Sequence, residues 1–323
     1  MKRALPDQGV CRRDFLKLLG VLAAGSSGVL AACGSRQPLR VASHVWPGYE
    51  FMFVARDQGW LDRKDATLIS TGSATESLQY LASGEVEAAA ITLDEVLLAL
   101  QRGIPLTVVL LFNISAGADA VLAKPAIASL AELRGARIGV EVTALGQLML
   151  RKLLEKAGLG LQEVQVVSLK ADEHLSAWRQ GKLDAVICYE PVVSVIEEGG
   201  WRRLFDSVDI PDTIFDVLAV RREALSAYSS QLRGLIQAHF KAQYAWKTNP
   251  VDTAYRMAKR LNLRAEQIPG LYRGIELPDI DYNRHMLGSA SPKLLASARQ
   301  IAAIMGTPPD LVDAALFQAR YLD

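Results

Sequence analysis

GKLDAVICYEP, residues Gly181–Pro191, is the stretch from which the fold can be worked out. It begins with a glycine typical of a helix end, passes through a polar turn and an acidic residue, and becomes an apolar strand that stops at polar groups. The same plan occurs earlier in GEVEAAAITLD, residues Gly84–Asp94, with the two glycines 97 residues apart. Each stretch therefore predicts a buried strand with polar side chains at its end.

Two further pairs of segments recur at the same offset of 97 residues. Leu39–Ala42 aligns with Ala136–Gly139, and Glu76–Leu78 aligns with Glu173–Leu175. One shared glycine would mean little, but three matches at one spacing indicate an internal repeat. We therefore predict an α/β fold of two similar lobes, each directing its strand ends toward a common crevice.

Composition fits this prediction and excludes several classes of protein. The chain has 323 residues, about twice the usual size of one domain, and 50% of them are hydrophobic. A formal net charge of +1 gives no reason to expect a nucleic-acid partner. The three cysteines (Cys11, Cys33, Cys188) and four scattered histidines have neither disulfide nor metal-ligand spacing, so we expect no metal and no cofactor.

The N-terminus has the features of an export signal. Arg12–Arg13 precede the apolar stretch Leu18–Ala32 and resemble a twin-arginine signal; a general secretion signal is the alternative. The stretch ends in Leu30–Cys33, which resembles a bacterial lipoprotein box. We predict a signal peptide over residues 1–32, lipidation of Cys33, a tether over residues 33–38 and a periplasmic protein anchored to the cell membrane. An ordinary cleavage near Ala32, with Cys33 incidental, is the alternative.

Two crossings between the lobes are predicted at Ala118–Lys124 and Asp216–Val220. They divide the chain into a first lobe, residues 39–118 and 220–323, and a second lobe, residues 119–219.

Two further patterns concern the first lobe. The apolar run Leu106–Phe112 is typical of a central parallel strand covered on both faces. Beyond Arg222 we predict helices at Glu223–Lys247, at Pro250–Leu261 and, in two pieces, from Pro292 to the end, with no strand among them.

Candidate ligand-binding residues lie at or just beyond the predicted strand ends, where open α/β sheets bind ligands. They are His44, Trp46, Tyr49, Ser73, Thr75, Thr92, Asp94, Asn113, Glu141, Thr143, Tyr189, Glu190 and Asp216.

Several of these candidates have an alternative role. Trp46 and Tyr49 either stack on a ligand or pack on their own loop, and Ser73 and Thr75 either bind a ligand or cap a helix. Glu190 precedes a proline and is expected to extend into the crevice opposite Asp94; alternatively it caps a helix or pairs with a local arginine. Cys188, inside a strand, is expected to be a buried small hydrophobe.

Taken together, these segments resemble a known family, the nitrate/sulfonate/taurine-type substrate-binding proteins of ABC transporters, which also include binders of thiamine-pyrimidine precursors. The resemblance covers residues 39–225 well and the helical tail loosely. It rests on the lipoprotein signal and on an ordered set of segments: Trp46–Tyr49, Gly84-x-Val86-Glu87-Ala88, Leu130-x-x-Leu133-Arg134-Gly135 with Arg137–Val140, and Gly181–Pro191.

The resemblance implies a two-lobed periplasmic-binding-protein clamp, type II-like, with two hinge crossings and a C-terminal helical extension. It implies a monomer that captures a small polar molecule between its lobes and delivers it to a membrane permease. A lipoprotein that senses a ligand and reports to a membrane receptor is the alternative. An enzyme resembling the pyrimidine synthases of the same fold is disfavoured, because those carry a cysteine-rich motif that this chain lacks.

The strand ends also bear on the ligand. The carboxylates and aromatic residues named above, with no arginine among them, favour a neutral or cationic nitrogenous ligand such as an amine or an aminopyrimidine. Hydroxyls and helix N-termini at Ser73 and Thr143 keep a sulfonate or nitrate as the alternative. No hydrolase elbow, phosphate loop or zinc-protease motif occurs, so no catalytic residue is assigned.

Overall fold

The computed structural model describes residues 37–288 and 292–323. The predicted signal peptide, Cys33 and most of the tether lie outside the described residues. Within the described part, no helix is both long enough and apolar enough to span a bilayer.

The described part contains eleven strands and eleven α-helices. The strands are β1 (Leu39–Ser43), β2 (Ala66–Ser70), β3 (Ala88–Thr92), β4 (Leu106–Ser115), β5 (Asp119–Ala123), β6 (Arg137–Val140), β7 (Gln165–Ser168), β8 (Ala185–Tyr189), β9 (Arg202–Asp206), β10 (Phe215–Arg221) and β11 (Ile275–Glu276). The helices are α1 (Glu50–Asp57), α2 (Ala74–Ser83), α3 (Leu93–Gln101), α4 (Ala144–Ala157), α5 (His174–Arg179), α6 (Val192–Glu198), α7 (Ser229–Thr248), α8 (Pro250–Leu261), α9 (Ile268–Leu271), α10 (Ile280–Leu287) and α11 (Lys293–Met305).

The strands form two sheets of nearly the same plan. The first sheet has the order β11-β4-β10-β3-β1-β2, and the second has the order β7-β6-β8-β5-β9. In each sheet three strands run parallel, β2-β1-β3 and β7-β6-β8, and the next strand runs antiparallel to them. This architecture confirms the predicted α/β clamp of two lobes.

The internal repeat is visible in single contacts. In the first sheet, Arg40 forms an ion pair with Glu87 and donates to the carbonyl oxygen of Gly84 at 3.1 Å. In the second sheet, Arg137 pairs with Asp184 at 2.9 Å and donates to the carbonyl oxygen of Gly181, also at 3.1 Å. All three pairs of equivalent positions are 97 residues apart, so the repeated glycine and acidic residue fix the same strand pairing in both lobes.

The strands that cross between the lobes are exchanged. β5 follows the last long strand of the first lobe but pairs with β8 and β9 of the second sheet. β10 follows β9 of the second sheet but pairs with β3 and β4 of the first. Two connections therefore join the lobes, as expected of a hinge. The exact lobe boundaries, at residues 118/119 and 219/220, stay a prediction.

Two expectations about the first lobe were wrong. The apolar run in β4 belongs to a strand that is antiparallel to both of its neighbours, β10 and β11, rather than to a central parallel strand. Its ten residues are all buried. A continuous apolar run indicates that a strand is buried on both faces, but it does not indicate the direction of the strand.

The C-terminal segment also differs from its prediction. The strand β11 interrupts the predicted run of helices and pairs with the edge of β4. After Pro308 and Pro309 the chain forms short 3₁₀ turns instead of a second helical piece, and the Gln318 amide bonds to the Val108 carbonyl oxygen at 3.0 Å. These contacts cover a sheet edge that would otherwise be exposed.

Candidate ligand-binding site between the two lobes

A cavity lies between the two lobes, at the carboxyl ends of β3 and β8. The cavity is small, with a volume of about 30 Å³, room for about two water molecules. Its walls come from both lobes: His44, Trp46, Ala74, Thr92, Glu95, Asp119, Val140, Glu141, Thr143, Leu145, Gly146, Met149, His174, Ile187, Cys188, Tyr189 and Asp216. A ligand larger than a few atoms must enter while the lobes are apart.

The first-lobe wall is held by a chain of buried hydrogen bonds. The indole Nε1 of Trp46 donates to Oδ1 of Asn113 at 2.9 Å, and Nδ2 of Asn113 donates to Oδ2 of Asp216 at 2.7 Å. The Tyr49 hydroxyl donates to the other oxygen of Asp216. A Cβ atom on Gly48 would lie 1.7 Å from Oδ1 of Asn113, so this position requires glycine. The network fixes the ring of Trp46 and the carboxyl of Asp216 at the cavity.

Arg260 of α8 holds the loop that carries His44. The guanidinium donates to the carbonyl oxygens of Ser43 and His44 at 3.2 and 3.3 Å. It also pairs with Glu50 at 2.9 Å and lies 3.6 Å from the centroid of the Phe53 ring. Burial and the nearby Arg260 charge lower the pKa of His44 to about 3, so its imidazole is neutral at physiological pH.

One hydrogen-bonded pair joins the two walls directly. Thr75, in the first turn of α2, donates from its hydroxyl to Oε1 of Glu141 at 2.5 Å and from its backbone N–H at 3.2 Å. Glu141 follows β6 of the second lobe. The contact therefore crosses the cleft, and it can form only when the lobes are close together.

The second-lobe wall includes the start of α4. Thr143 caps this helix by accepting a hydrogen bond from the Gly146 amide at 3.3 Å. A Cβ atom on Gly146 would lie 1.8 Å from the Glu141 carbonyl oxygen, so only glycine allows the helix to approach so closely.

The cavity is acidic. Glu95, Asp119, Glu141 and Asp216 line it, and none of the described lining residues is lysine or arginine. Burial raises the pKa of Asp119 to about 7, with the charges of Asp94 and Glu190 adding to the effect. Burial, followed by the neighbouring carboxylates, also raises the pKa values of Glu95 and Asp216 well above their usual range. Burial therefore favours the protonated, neutral form of these carboxyl groups.

Most of the sequence-derived candidates lie at this cavity or support it. Seven line it directly: His44, Trp46, Thr92, Glu141, Thr143, Tyr189 and Asp216. Tyr49, Asn113 and Thr75 hold lining residues through the hydrogen bonds described above. Tyr49 is fully buried, so it packs beneath the loop and does not line the cavity.

Three candidates have other positions. Ser73 caps α2 by accepting from the Glu76 amide at 3.3 Å, and Asp94 is buried in the first turn of α3 outside the cavity lining. Glu190 does not face the cleft. Its carboxylate accepts hydrogen bonds from the hydroxyl and the backbone N–H of Ser194, at 2.9 and 3.1 Å, and it lines a different cavity near the first crossing.

The expectation that Glu190 points into the crevice is thus not met. Glu190 lies just beyond the end of β8, and its hydrogen bonds to Ser194 hold its carboxylate at the start of α6. Tyr189 takes the inward position, and α6 begins directly afterwards.

Three polar lining residues were not among the sequence-derived candidates. Glu95 lies in the first turn of α3, where an acidic residue also suits the helix dipole, so its sequence position alone does not mark it as a lining residue. Asp119 begins the crossing strand β5 opposite Tyr189, and this antiparallel pairing could have indicated its position. His174 occurs in one of the repeated segments, but nothing in its immediate sequence marks it as exposed to the cavity.

Two lobes joined by exchanged strands, with a cleft lined from both, define the periplasmic-binding-protein fold. The chain matches the family described as NMT1/THI5 like over residues 46–253, more than half of its length, and it belongs to that family. The resemblance inferred from the sequence is confirmed.

Individual relatives agree with this assignment. The taurine-binding periplasmic protein of Escherichia coli (strain K12) is 23% identical over 211 residues, which cover 62% of this chain and 66% of the relative, just under two thirds of its length. The alkanesulfonate-binding protein SsuA from Xanthomonas axonopodis pv. citri, bound to MOPS, has a TM-score of 0.71 at 16% identity, covering 87% of this chain and 97% of that protein. The desulfurization enzyme DSZB has a TM-score of 0.64 at 15% identity, covering 89% and 98%. At such identities the two structures establish the fold alone.

Proposed function

We propose that this chain is the substrate-binding component of an ABC importer, and that it captures a small polar molecule in the cleft and presents it to a membrane permease. The observation that carries the proposal is a cavity lined from both lobes and spanned by the Thr75–Glu141 hydrogen bonds. A ligand that touches both lobes can favour the closed arrangement, because it gains those contacts only when the lobes are together. Family membership and the taurine-binding relative support the same role.

We infer further that the ligand is a neutral or cationic nitrogenous molecule rather than a sulfonate. The lining offers four carboxyl groups and, among the described residues, no lysine or arginine. An ammonium or amino group would donate hydrogen bonds to the oxygens of these carboxyl groups. Thr143 and the start of α4 are the features that a sulfonate would use instead.

A catalytic role has little support. Cys188, the only cysteine among the described residues, is buried. Burial and the charges of Glu190 and Asp119 raise the pKa of its thiol well above the usual range, which keeps the thiol protonated and weakly nucleophilic. We therefore propose a monomeric binding protein and not an enzyme.

A thermal-shift screen tests the function and the ligand class together. The panel contains taurine, alkanesulfonates, nitrate, aminopyrimidines and polyamines. We expect stabilisation by a nitrogenous compound, and a smaller radius of gyration by small-angle scattering when that compound is present. Stabilisation without any change in radius would argue against a closing clamp, and stabilisation by sulfonates alone would refute the ligand class.

The proposed location is the periplasm, with a lipid anchor on Cys33. Stable anchoring by acyl chains takes more than one chain, as lipoprotein modification provides. In a bacterial host, Cys33→Ser should release soluble protein. Wild-type protein that is already soluble, with an unmodified Cys33, would rule the anchor out.

A further inference from the structure

His174 contributes a polar atom to the cavity that has no partner in the described part of the chain. It is the first residue of α5, it is 2% exposed, and it lines the cavity from the second lobe. Nε2 is buried without a hydrogen-bond partner, and the Leu169 backbone raises the pKa of the ring, as a carbonyl oxygen that accepts from the other ring nitrogen does. The donating atom is therefore Nδ1.

This bonding pattern fixes what His174 can offer. Burial lowers the pKa of His174 to about 4, although the nearby Glu173 charge and the bond to Leu169 oppose the effect. The imidazole is therefore neutral at pH 7. A neutral ring that carries its proton on Nδ1 has only a lone pair on Nε2, so Nε2 is an acceptor and not a donor.

The internal repeat shows that this unpaired atom is not a requirement of the fold. The equivalent residue in the first lobe, 97 positions earlier, is Ser77. Its hydroxyl lies 2.7 Å from that of Thr71 and donates to the Ser73 carbonyl oxygen at 3.3 Å. The equivalent position of the repeat is thus fully bonded in one lobe, while in the other it holds a larger side chain that lines the cleft and has an unbonded ring nitrogen.

We propose that Nε2 of His174 accepts a hydrogen bond from an N–H group of the ligand and makes the site selective for ligands that carry such a donor. The inference rests on the proposed function, since it assigns one specificity-determining residue to the same cleft. The neighbouring polar groups are consistent with it, because the carboxyl groups of Glu95, Asp119 and Asp216 also have oxygens that accept hydrogen bonds. A bound N–H would recover the desolvation cost that the unpaired nitrogen now carries.

Matched pairs of compounds test the proposal on the full chain. The pairs are putrescine with its bis-trimethylammonium derivative and 4-aminopyrimidine with its dimethylamino derivative, so the methylated compound of each pair has lost its amino N–H groups. Wild-type protein should be stabilised by a donor compound and less by its methylated partner. His174→Phe should weaken binding of the donor by about tenfold and reduce this discrimination, because a buried acceptor is lost. His174→Gln, which keeps an acceptor, should restore part of it.

The matched control is His239→Phe. His239 is also buried, and it packs against Phe51, Phe112 and Phe240 outside the cavity lining. This variant should bind the donor compounds as the wild type does. Binding by His174→Phe within about twofold of wild type, or equal binding of donor and methylated compounds, would overturn the proposal.

Nitrogen-15 NMR of the histidine rings separates this proposal from the proposed function. In unliganded protein at pH 7, His174 should show a protonated Nδ1 and an unprotonated Nε2, and the Nε2 signal should move when a donor compound binds. A protonated Nε2 would overturn the proposal even if the protein binds ligands. If no compound of any class binds, the proposed function fails. If no donor compound moves the Nε2 signal, the proposed role of His174 fails.

Discussion

Replacing Asp119 by asparagine should change how the stability of the protein depends on pH. Asp119 is 4% exposed, begins β5 and lines the cavity. Burial is the main reason that its pKa rises from 3.8 to about 7, while a hydrogen bond from Ser115 acts in the opposite direction. Asparagine has nearly the same shape and cannot ionise.

The sign of the effect follows from the direction of this pKa change. Because the folded protein holds the proton more tightly than the unfolded chain, the contribution of Asp119 to stability is complete below about pH 4. It is lost progressively as the pH rises through about 7. A difference of about three units between the folded and unfolded pKa values corresponds to about 4 kcal/mol. This value is an upper limit, because water reaches the cleft when the lobes open. Asp119→Asn removes this penalty.

Guanidinium unfolding at several pH values between about 4 and 8 measures the effect. We expect the variant and the wild type to have similar free energies of unfolding near pH 4, and the variant to be more stable by about 1 to 4 kcal/mol near pH 8. Asp310→Asn, at an exposed carboxyl, is the control and should leave the pH dependence unchanged. Parallel curves for wild type and Asp119→Asn would refute the reasoning.

Three further substitutions test other parts of the site. Gly48→Ala places a methyl group against Asn113 and should cost about 1 to 3 kcal/mol of unfolding free energy by chemical denaturation; an unchanged midpoint would show that the loop can move away. Thr75→Val removes the hydroxyl bond to Glu141 and should shift the unliganded protein toward a larger radius of gyration by small-angle scattering, whereas an unchanged radius would mean that the bond does not hold the lobes. Glu190→Gln should leave the affinity for the identified ligand within about twofold by calorimetry, and a tenfold loss would return this residue to the site.

The fold could be predicted from the sequence because its signals are local and repeated. Arg40 and Arg137, with Glu87 and Asp184, make the same contacts in each lobe, so one spacing identified both sheets. Strand direction was harder. The apolar run of β4 is buried on both faces by its surroundings, and burial does not distinguish a parallel strand from an antiparallel one.

The site was predictable to the level of strand ends but not of individual side chains. Tyr189 lines the cleft, whereas Glu190, the next residue, bonds to Ser194 at the start of the following helix and lines a different cavity. His174 was missed for a different reason. Its role depends on a contact with Leu169 and on the closeness of the other lobe, and neither is encoded in the residues beside it.

The charge of the cleft allows a direct test of the proposed ligand class. A sulfonate oxygen about 4 Å from an ionised carboxylate would be repelled by about 4 kcal/mol at an effective dielectric constant of about 20. Such a ligand could bind well only while the carboxyls are protonated, so its affinity would fall as the pH rises through about 7, the raised pKa of Asp119. A cationic ligand behaves in the opposite way, because each carboxyl that ionises adds an attraction. Calorimetry of one ligand at pH 5.5 and at about pH 8 therefore reports the sign of the charge that the cleft accepts. Affinity that rises with pH supports the nitrogenous ligand, and affinity that falls would show that the cleft binds an anion, which the ionised carboxyls repel.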